Sequence, residues 1–423
     1  MCLRLISRSV TRVRCKLGIA QTATISLANH QGLCPASTTT GDPQKRNHHI
    51  LHNRSGSKAQ QQKDKKSRTD YRLGSEEIGM LEVDGSQKSG SGTLLRLSVA
   101  LAGILGEPLH IYNIRKKRSE PGLRPQHLEA VLTAARLCDA KLEGAALGSQ
   151  EILFEPGEIK GGEVHAEIGT AGSIPMLIMT VLPLCAFAKQ PVSLHISKGG
   201  TDVRHSPTIN YLKHVLLPIL QRIGVTASIE VQRYGYYPKG MGEVTLKVDP
   251  PEKVSPIRLE EFGKVAEVGG VSVCTFLADR KVAERQMREA EKLLSARGFH
   301  PNVQIVNDFS NPLQKGSSIV LWARTGTNVL LGSDAIGEIR KPSEAVAREA
   351  VGNLLDEVQA KATVDIHLAD MLVPYVALAK GESSYLTRTV TDHLESNIWL
   401  AETILGVRFI VQKKGKLNQI VKK

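Results

Sequence analysis

The chain runs to 423 residues with 41% hydrophobic content, length enough for two or more packed domains of ordinary globular composition. Its formal charge of +13 divides unevenly: residues 1–79 hold 14 Lys/Arg against 5 Asp/Glu and residues 80–423 hold 41 against 37, so overall basicity is no argument for an anionic partner of the folded part. A membrane role has no support, since no apolar run reaches the ~18 residues that cross a bilayer.

In chain order, the first 41 residues carry no acid, while Arg4, Arg8, Arg12, Arg14 and Lys16 are scattered among Leu, Ile, Ser and Thr. That is the composition of an organelle transit peptide. The competing expectation is a functional start at Met80, just before the first strand; on either view residues 1–79 form a disordered basic extension. From Leu81 the hydrophobic period switches between 2 and 3.6 in a repeating order. The first unit reads as strand 81–85, helix 93–106, strand 108–114, helix 126–140 and strands at 142–149 and 151–157. The second spans Gly161 to Pro250, with helices at 174–188 and 208–223 and strands at 192–196, 227–233 and 243–248. Residues 256–335 break the rhythm with strand 265–277, a charged helix 280–297, and strands 302–308 and 318–325. A third copy resumes with helices at 342–360 and 364–379, strand 383–390, a helix from His393 and strand 407–412. The expected fold is α/β of the α+β type, a large domain of three repeated β-α-β-α-β-β units (80–255 and 336–423) with a smaller inserted β/α domain (256–335).

Cys2, Cys15, Cys34, Cys138, Cys185 and Cys274 show neither CxxC pairing nor His/Cys metal spacing. A reducing compartment, no disulfide framework and no structural zinc are expected.

Two stretches suit phosphate. Gly85, Gly90 and Gly92 let backbone N–H groups approach an anion at the start of a helix, whose positive end faces the same anion. Arg115, Lys116, Lys117, Arg118 and Arg124 then surround the Pro121-Gly122 turn, with Gln126 and His127 opening the next helix, and guanidinium forks match phosphate oxygens. Taken singly, a Gly/Ser loop or a basic run more often marks a solvated turn. His393 stands at the start of an amphipathic helix bearing Leu394, Ile398, Trp399 and Ile404. There the dipole lowers its pKa and favours the neutral, nucleophilic imidazole; without context, a lone histidine reads as a surface residue.

The order of these segments resembles the RNA 3'-terminal phosphate cyclase family from about Leu81 to the C-terminus. The resemblance rests on LEGAALGSQEILFEPG (Leu142 to Gly157), GTAGS (Gly169 to Ser173), KGGTD (Lys198 to Asp202), YYPKGMGEV (Tyr236 to Val244), VDIHLADMLVPYVALAKG (Val364 to Gly381) and DHLESNIWLAETILGVRF. It implies an ATP-dependent ligase in which His393 is the catalytic nucleophile. His393 would attack the α-phosphate of ATP, and the AMP would pass to an RNA 3'-phosphate that closes to a 2',3'-cyclic phosphate. It further implies nucleotide contacts at His367, Leu368, Ala369, Asp370, Met371, Met179 and Pro207, with Asp370 orienting His393 or a metal. RNA and phosphate contacts fall at Arg96, Arg115, Arg118, Gln126 and His127, and Mg2+ (or Mn2+) is expected with no dedicated protein ligands. RNA 3' ends are the implied partner, the cytoplasm the implied location, or an organelle if the extension is a transit peptide, and no oligomeric state is implied.

The chain departs from the family's acid-Gly-Gly-Gly-Gln loop, reading Ser89, Gly90, Ser91, Gly92, Thr93. Met179, His367 and Met371 stand where Gln, Tyr and Gln are common, and Met241 replaces the middle glycine of Pro-x-Gly-Gly-Gly. These changes cluster around the nucleotide and bear on ATP affinity, nucleotide choice and activity. A sister branch without the nucleophile acts as a non-catalytic, RNA-binding factor in ribosome assembly, and retention of His393 argues against it here. Enolpyruvyl transferases share a related repeat architecture, but the IRKKR turn and the HLESN segment fit the cyclase better.

Overall fold

Buried Leu81 and Val83 alternate with exposed Glu82 and make Leu81–Asp84 a strand, β1, in the computed structural model, which describes residues 79–423. The expectations for the basic extension, and for Cys2, Cys15 and Cys34, lie outside the described residues. Helix α1 (Gly92–Leu105) is buried from Gly92 to Ile104 except at Arg96, as befits a helix enclosed on all sides, and stops at Gly106 in the left-handed region. Then follow β2 (Leu109–Tyr112), α2 (Pro125–Leu137), β3 (Lys141–Glu143) and β4 (Ile152–Glu155), in a sheet of order β1-β2-β4-β3. The expected strand 142–149 ends at Glu143, because Gly144 and Gly148 adopt φ of 74° and 80° and turn the chain.

The second unit repeats the plan with β5 (Gly162–Glu167), α3 (Ile174–Cys185), β6 (Val192–Gly199), β7 (Thr226–Arg233) and β8 (Gly242–Asp249), ordered β5-β6-β8-β7. The helix expected over 208–223 is capped by Thr208 and divides into α4 (Ile209–Tyr211), a π-helical stretch Leu212–Leu216 and α5 (Leu217–Arg222). Pro218 has no N–H for the carbonyl of His214, so the hydrogen-bond ladder shifts there.

The third sheet starts earlier than the periodicity suggests. Strand β9 (Arg258–Leu259) pairs parallel with residues 384–385 far downstream. Between them lies a different sheet of β10 (Val265–Thr275), α6 (Val282–Ser295), β11 (Pro301–Asp308), β12 (Gly316–Thr325), β13 (Leu330–Ile336) and α7 (Ser343–Ala360), ordered β11-β10-β12-β13. Strand β13 escapes a periodicity reading because Gly332 and Ser333 interrupt its apolar run. Helix α7, expected to open the third copy, packs Val346, Ala350 and Leu354 with Val268, Leu294, Ile319 and Leu331 into the core of this second sheet. We propose, on that packing, an insert that runs from β10 through α7.

The expected helix 364–379 is two, α8 (Ile366–Met371) and α9 (Val373–Leu378). Then come β14 (Ser383–Thr387), α10 (Asp392–Leu405), β15 (Phe409–Lys414) and an unforeseen β16 (Leu417–Lys422). Their order, β9-β14-β16-β15, matches the other two units with the same parallel and antiparallel pairings. The fold is therefore α+β, three like units enclosing one hydrophobic core that joins Leu101, Leu177, Leu220, Leu372 and Leu400. Helices α1, α8 and α10 meet at its rim. No helix of the described residues is long and apolar enough to cross a membrane.

Candidate active site

Ser91 caps α1, its Oγ accepting from Thr93 N at 3.3 Å, and α1 has no acid in its first turn. Gly92 is required for a steric reason: a Cβ there would lie 2.3 Å from Nε2 of His127. Lys117 Nζ donates to the carbonyl of Lys88 at 2.8 Å, and Lys88 Nζ pairs with Glu395 Oε1 at 2.9 Å. Ser89 N donates to Ser396 Oγ at 3.2 Å. The Gly/Ser loop, the basic turn and the start of α10 are thereby fastened together.

Thr391 caps α10, accepting from Leu394 N at 3.1 Å, and His393 follows in the first turn. Its Nδ1 lies 3.3 Å from Thr93 Oγ1, which also accepts from Arg96 Nη2 at 3.1 Å. The His393 pKa is lowered, as the sequence suggests, but by burial first, then by Arg96 and Arg118 and weakly by His367, against the opposing pull of Asp392. Burial, aided by the packed cations, favours the neutral imidazole.

The cation cluster is short of anions. Burial and Arg115 lower Arg96 to about 10 despite Asp370 nearby. Arg115 donates to the carbonyls of Glu120 and Gly122 at 2.8 and 2.7 Å, which holds the basic turn, and Arg124 pairs with Glu120 at 2.9 Å. His127 is pushed down to about 2 by burial and by Arg96, Arg115 and Arg124, and its buried Nδ1 has no hydrogen-bond partner. Arg96, Arg115 and Arg124 give the surroundings of this ring a strongly positive character. Gln126 accepts from Ser173 N at 2.7 Å through Oε1, so its amide N–H groups face away from that bond. Arg118 is exposed on the same turn.

Asp365 caps α8, its Oδ1 accepting from His367 N and Leu368 N at 3.1 and 3.0 Å and from Tyr211 OH at 2.7 Å. Pro374 has no N–H for the carbonyl of Asp370, and Asn397 of α10 takes that carbonyl instead at 3.0 Å. Asp370 is thus drawn to the cluster and is raised to about 7 by burial, with His367 and Arg96 opposing. Thr93 is the hydrogen-bond partner beside His393, whereas Asp370, expected to orient His393 or a metal, acts on Arg96. His367 is exposed, its ring edge-on to Tyr211 at 6.5 Å.

The remaining expected nucleotide residues fare differently. Leu368 and Ala369 are fully buried and Met371 nearly so, and all three side chains pack into the main core. Met179 is half-buried against the same core. Pro207 is half-buried beside Thr208, whose N donates to Asp334 Oδ2 at 2.6 Å. Sequence reasoning missed Thr93, Asn397, Asp334 and Tyr211. A hydroxyl in the first turn after a glycine loop was the available signal for Thr93; the others depend on packing between distant segments.

A family model described as RNA 3'-terminal phosphate cyclase matches residues 87–411. A protein of that name from Pyrobaculum neutrophilum is 42% identical over 79% of this chain and 96% of its own length. Its namesakes from Pyrococcus furiosus and Methanosarcina barkeri are each 42% identical over 81% of this chain and 99% of their own length. With this similarity running through the loop, the basic turn and α10 alike, the chain belongs to the RNA 3'-terminal phosphate cyclase family.

Proposed function

We propose that this enzyme converts an RNA 3'-terminal phosphate to a 2',3'-cyclic phosphate at the expense of ATP, with His393 carrying AMP between the two. The observation that supports it most is a neutral His393 held by Thr93 inside a cluster of guanidinium groups short of anions. With Nδ1–H donated to Thr93 Oγ1, Nε2 presents its lone pair. Nε2 attacks the α-phosphorus of ATP, the bond from that phosphorus to the bridging oxygen breaks, and pyrophosphate leaves. Arg96 and Arg118 face the charge that develops. An oxygen of the RNA 3'-phosphate then attacks the same phosphorus and displaces His393. Finally the 2'-hydroxyl attacks the RNA phosphate, loses its proton to solvent or a nearby base, and expels AMP. Arg115, the Gln126 amide and His127 are suited to hold the RNA phosphate.

The described residues gather no group of three or more His, Cys, Asp or Glu side chains able to hold a metal ion. Asp370 beside Arg96 and Asp392 beside His393 are the carboxylates that would help hold a Mg2+ or Mn2+ arriving with the triphosphate, and such an ion would supply charge neutralisation there.

The test is incubation of the full chain and of His393→Ala with α-labelled ATP and Mg2+. Acid-labile label on the parent alone supports the reading. No label on folded parent overturns it in favour of a non-catalytic RNA-binding role.

A further inference from the structure

Three of the eight large apolar side chains most exposed among the described residues, Tyr237 (79%), Phe309 (61%) and Leu313 (55%), lie on two abutting turns. Hydrogen bonds fasten the turns together. Asn311 Nδ2 donates to the carbonyls of Tyr234 and Gly240 at 2.7 and 3.1 Å, and Gln314 Nε2 to the carbonyl of Tyr237 at 3.0 Å. Lys239 N donates to Gln314 Oε1 at 3.2 Å. Phe276 braces Phe309 edge-on, with ring centroids 5.7 Å apart. The turns are therefore fixed by amides and backbone, while the aromatic faces stay outward and contribute little to holding them.

Lys239 and Lys315 flank these rings, are exposed, and form no ion pair among the described residues. Asp308, which opens the turn carrying Phe309, is occupied by Thr275 Oγ1 at 2.7 Å and Ser310 Oγ at 2.7 Å. Exposed aromatic faces beside unpaired lysines on a rigid rim match the stacking surfaces that take single-stranded nucleic acid. A protein partner would call for a desolvated pocket for its anchors, and these side chains protrude instead.

The patch also adjoins the cationic cluster. Gln126 accepts from Ser173 N, and the Cβ position of Gly172 is 2.9 Å from Gln126 Cβ. Gly240 in turn presses on Thr170 O and Ala171 Cα, at 2.8 and 2.9 Å from its own Cβ position. From Gln126 through the exposed turn at Thr170 to Tyr237, neighbours touch without a break. We propose that Tyr237 and Phe309 stack the bases of single-stranded RNA upstream of the terminus held at Gln126, with Lys239 and Lys315 facing its phosphates. This rests on the reading of the site as one for an RNA 3' end.

The experiment compares a 3'-phosphorylated dinucleotide with a 3'-phosphorylated oligomer of about ten residues, enough to span several stacking positions. Binding is read by fluorescence anisotropy on the full chain, with label transfer from ATP to protein, in the absence of RNA, as the control for folding. The Tyr237→Ala, Phe309→Ala double variant is expected to weaken oligomer binding about tenfold or more and to leave the dinucleotide unchanged. Tyr237→Phe should retain binding and Tyr237→Leu should lose it, since only the ring stacks. The Lys239→Ala, Lys315→Ala pair should lower the slope of log affinity against log salt. Equal losses on both RNAs, no loss on either, or a change in oligomeric state on removing the rings overturns the proposal. Length-dependent RNA binding by a parent that takes no label from ATP would sink the nucleotidyl-transfer reading while leaving the RNA path standing.

Discussion

Two helix starts face each other across the site, and they are built oppositely. Helix α1 opens behind Ser91 with no acid in its first turn and with Arg96 one turn in, whereas α10 opens behind Thr391 with Asp392 and Glu395 beside it. Glu395 is drawn off by Lys88, and Asp392 opposes the cations that keep His393 neutral. One start is left positive for an incoming anion and the other is balanced for a nucleophile. Both belong to units of the same strand order, so the repeat positions the chemistry and the helix starts differentiate it.

The sharpest way to break this contrast is to discharge α1. Arg96→Ala should slow transfer of label from ATP to His393 by about 10²–10³-fold, measured in single turnover, because a preorganised cation facing the developing charge is lost. An effect as small as that of an exposed arginine would show that the α1 start is not the anion site. Gly92→Ala tests the steric half of the contrast, since the new Cβ meets the His127 ring at 2.3 Å. It should cost about 1–3 kcal/mol in denaturant unfolding, and a neutral outcome would mean that His127 is not wedged there. Thr93→Val removes the hydroxyl between Arg96 and His393 and should slow labelling about tenfold, with Thr93→Ser restoring it.

Titration separates the two sides by sign. His127 is held neutral down to about 2 against 6.5 when unfolded, so protons favour the unfolded chain and stability falls as pH drops through 6.5. Asp370 keeps its proton up to about 7 against 3.8 when unfolded, so its contribution is lost as pH rises across that window. Unfolding midpoints followed from about pH 4.5 to 6.5, where both groups act, should show the slope against pH turning more negative for His127→Gln and more positive for Asp370→Asn. The same sign for both variants would refute these assignments. The smallest effect is expected of Lys88→Ala, which breaks a solvent-exposed pair with Glu395 and should change stability by less than about 1 kcal/mol.

The two starts also differ in how readable they are. Glycines and arginines crowd the α1 side, and a loop so composed announces an anion. His393 carries the other side alone, and its partner Thr93 is 300 positions away, a pairing that no local pattern encodes. Strands were legible where units have long alternating runs. They were not at β9, whose two residues cannot display a period. Nor were they at β16, where Asn418, Gln419 and Lys422 read as a polar segment yet are buried, with side chains bonded to the Arg388 carbonyl, Glu260 and the Ala379 carbonyl. Within the segment VDIHLADM, a motif does not say which side chains turn inward: Leu368, Ala369 and Met371 are buried in the core while His367 is exposed.

Pairing of Arg258–Leu259 with Ser384–Tyr385 makes the third unit's sheet bridge the whole stretch from β10 to α9. Holding so long a loop shut costs entropy, and that cost shrinks as the intervening β11-β10-β12-β13 sheet becomes compact. A lesion at Leu321 of β12 or Val351 of α7, both buried in the core of the stretch between β9 and β14, should therefore slow refolding, read as the regain of labelling from ATP.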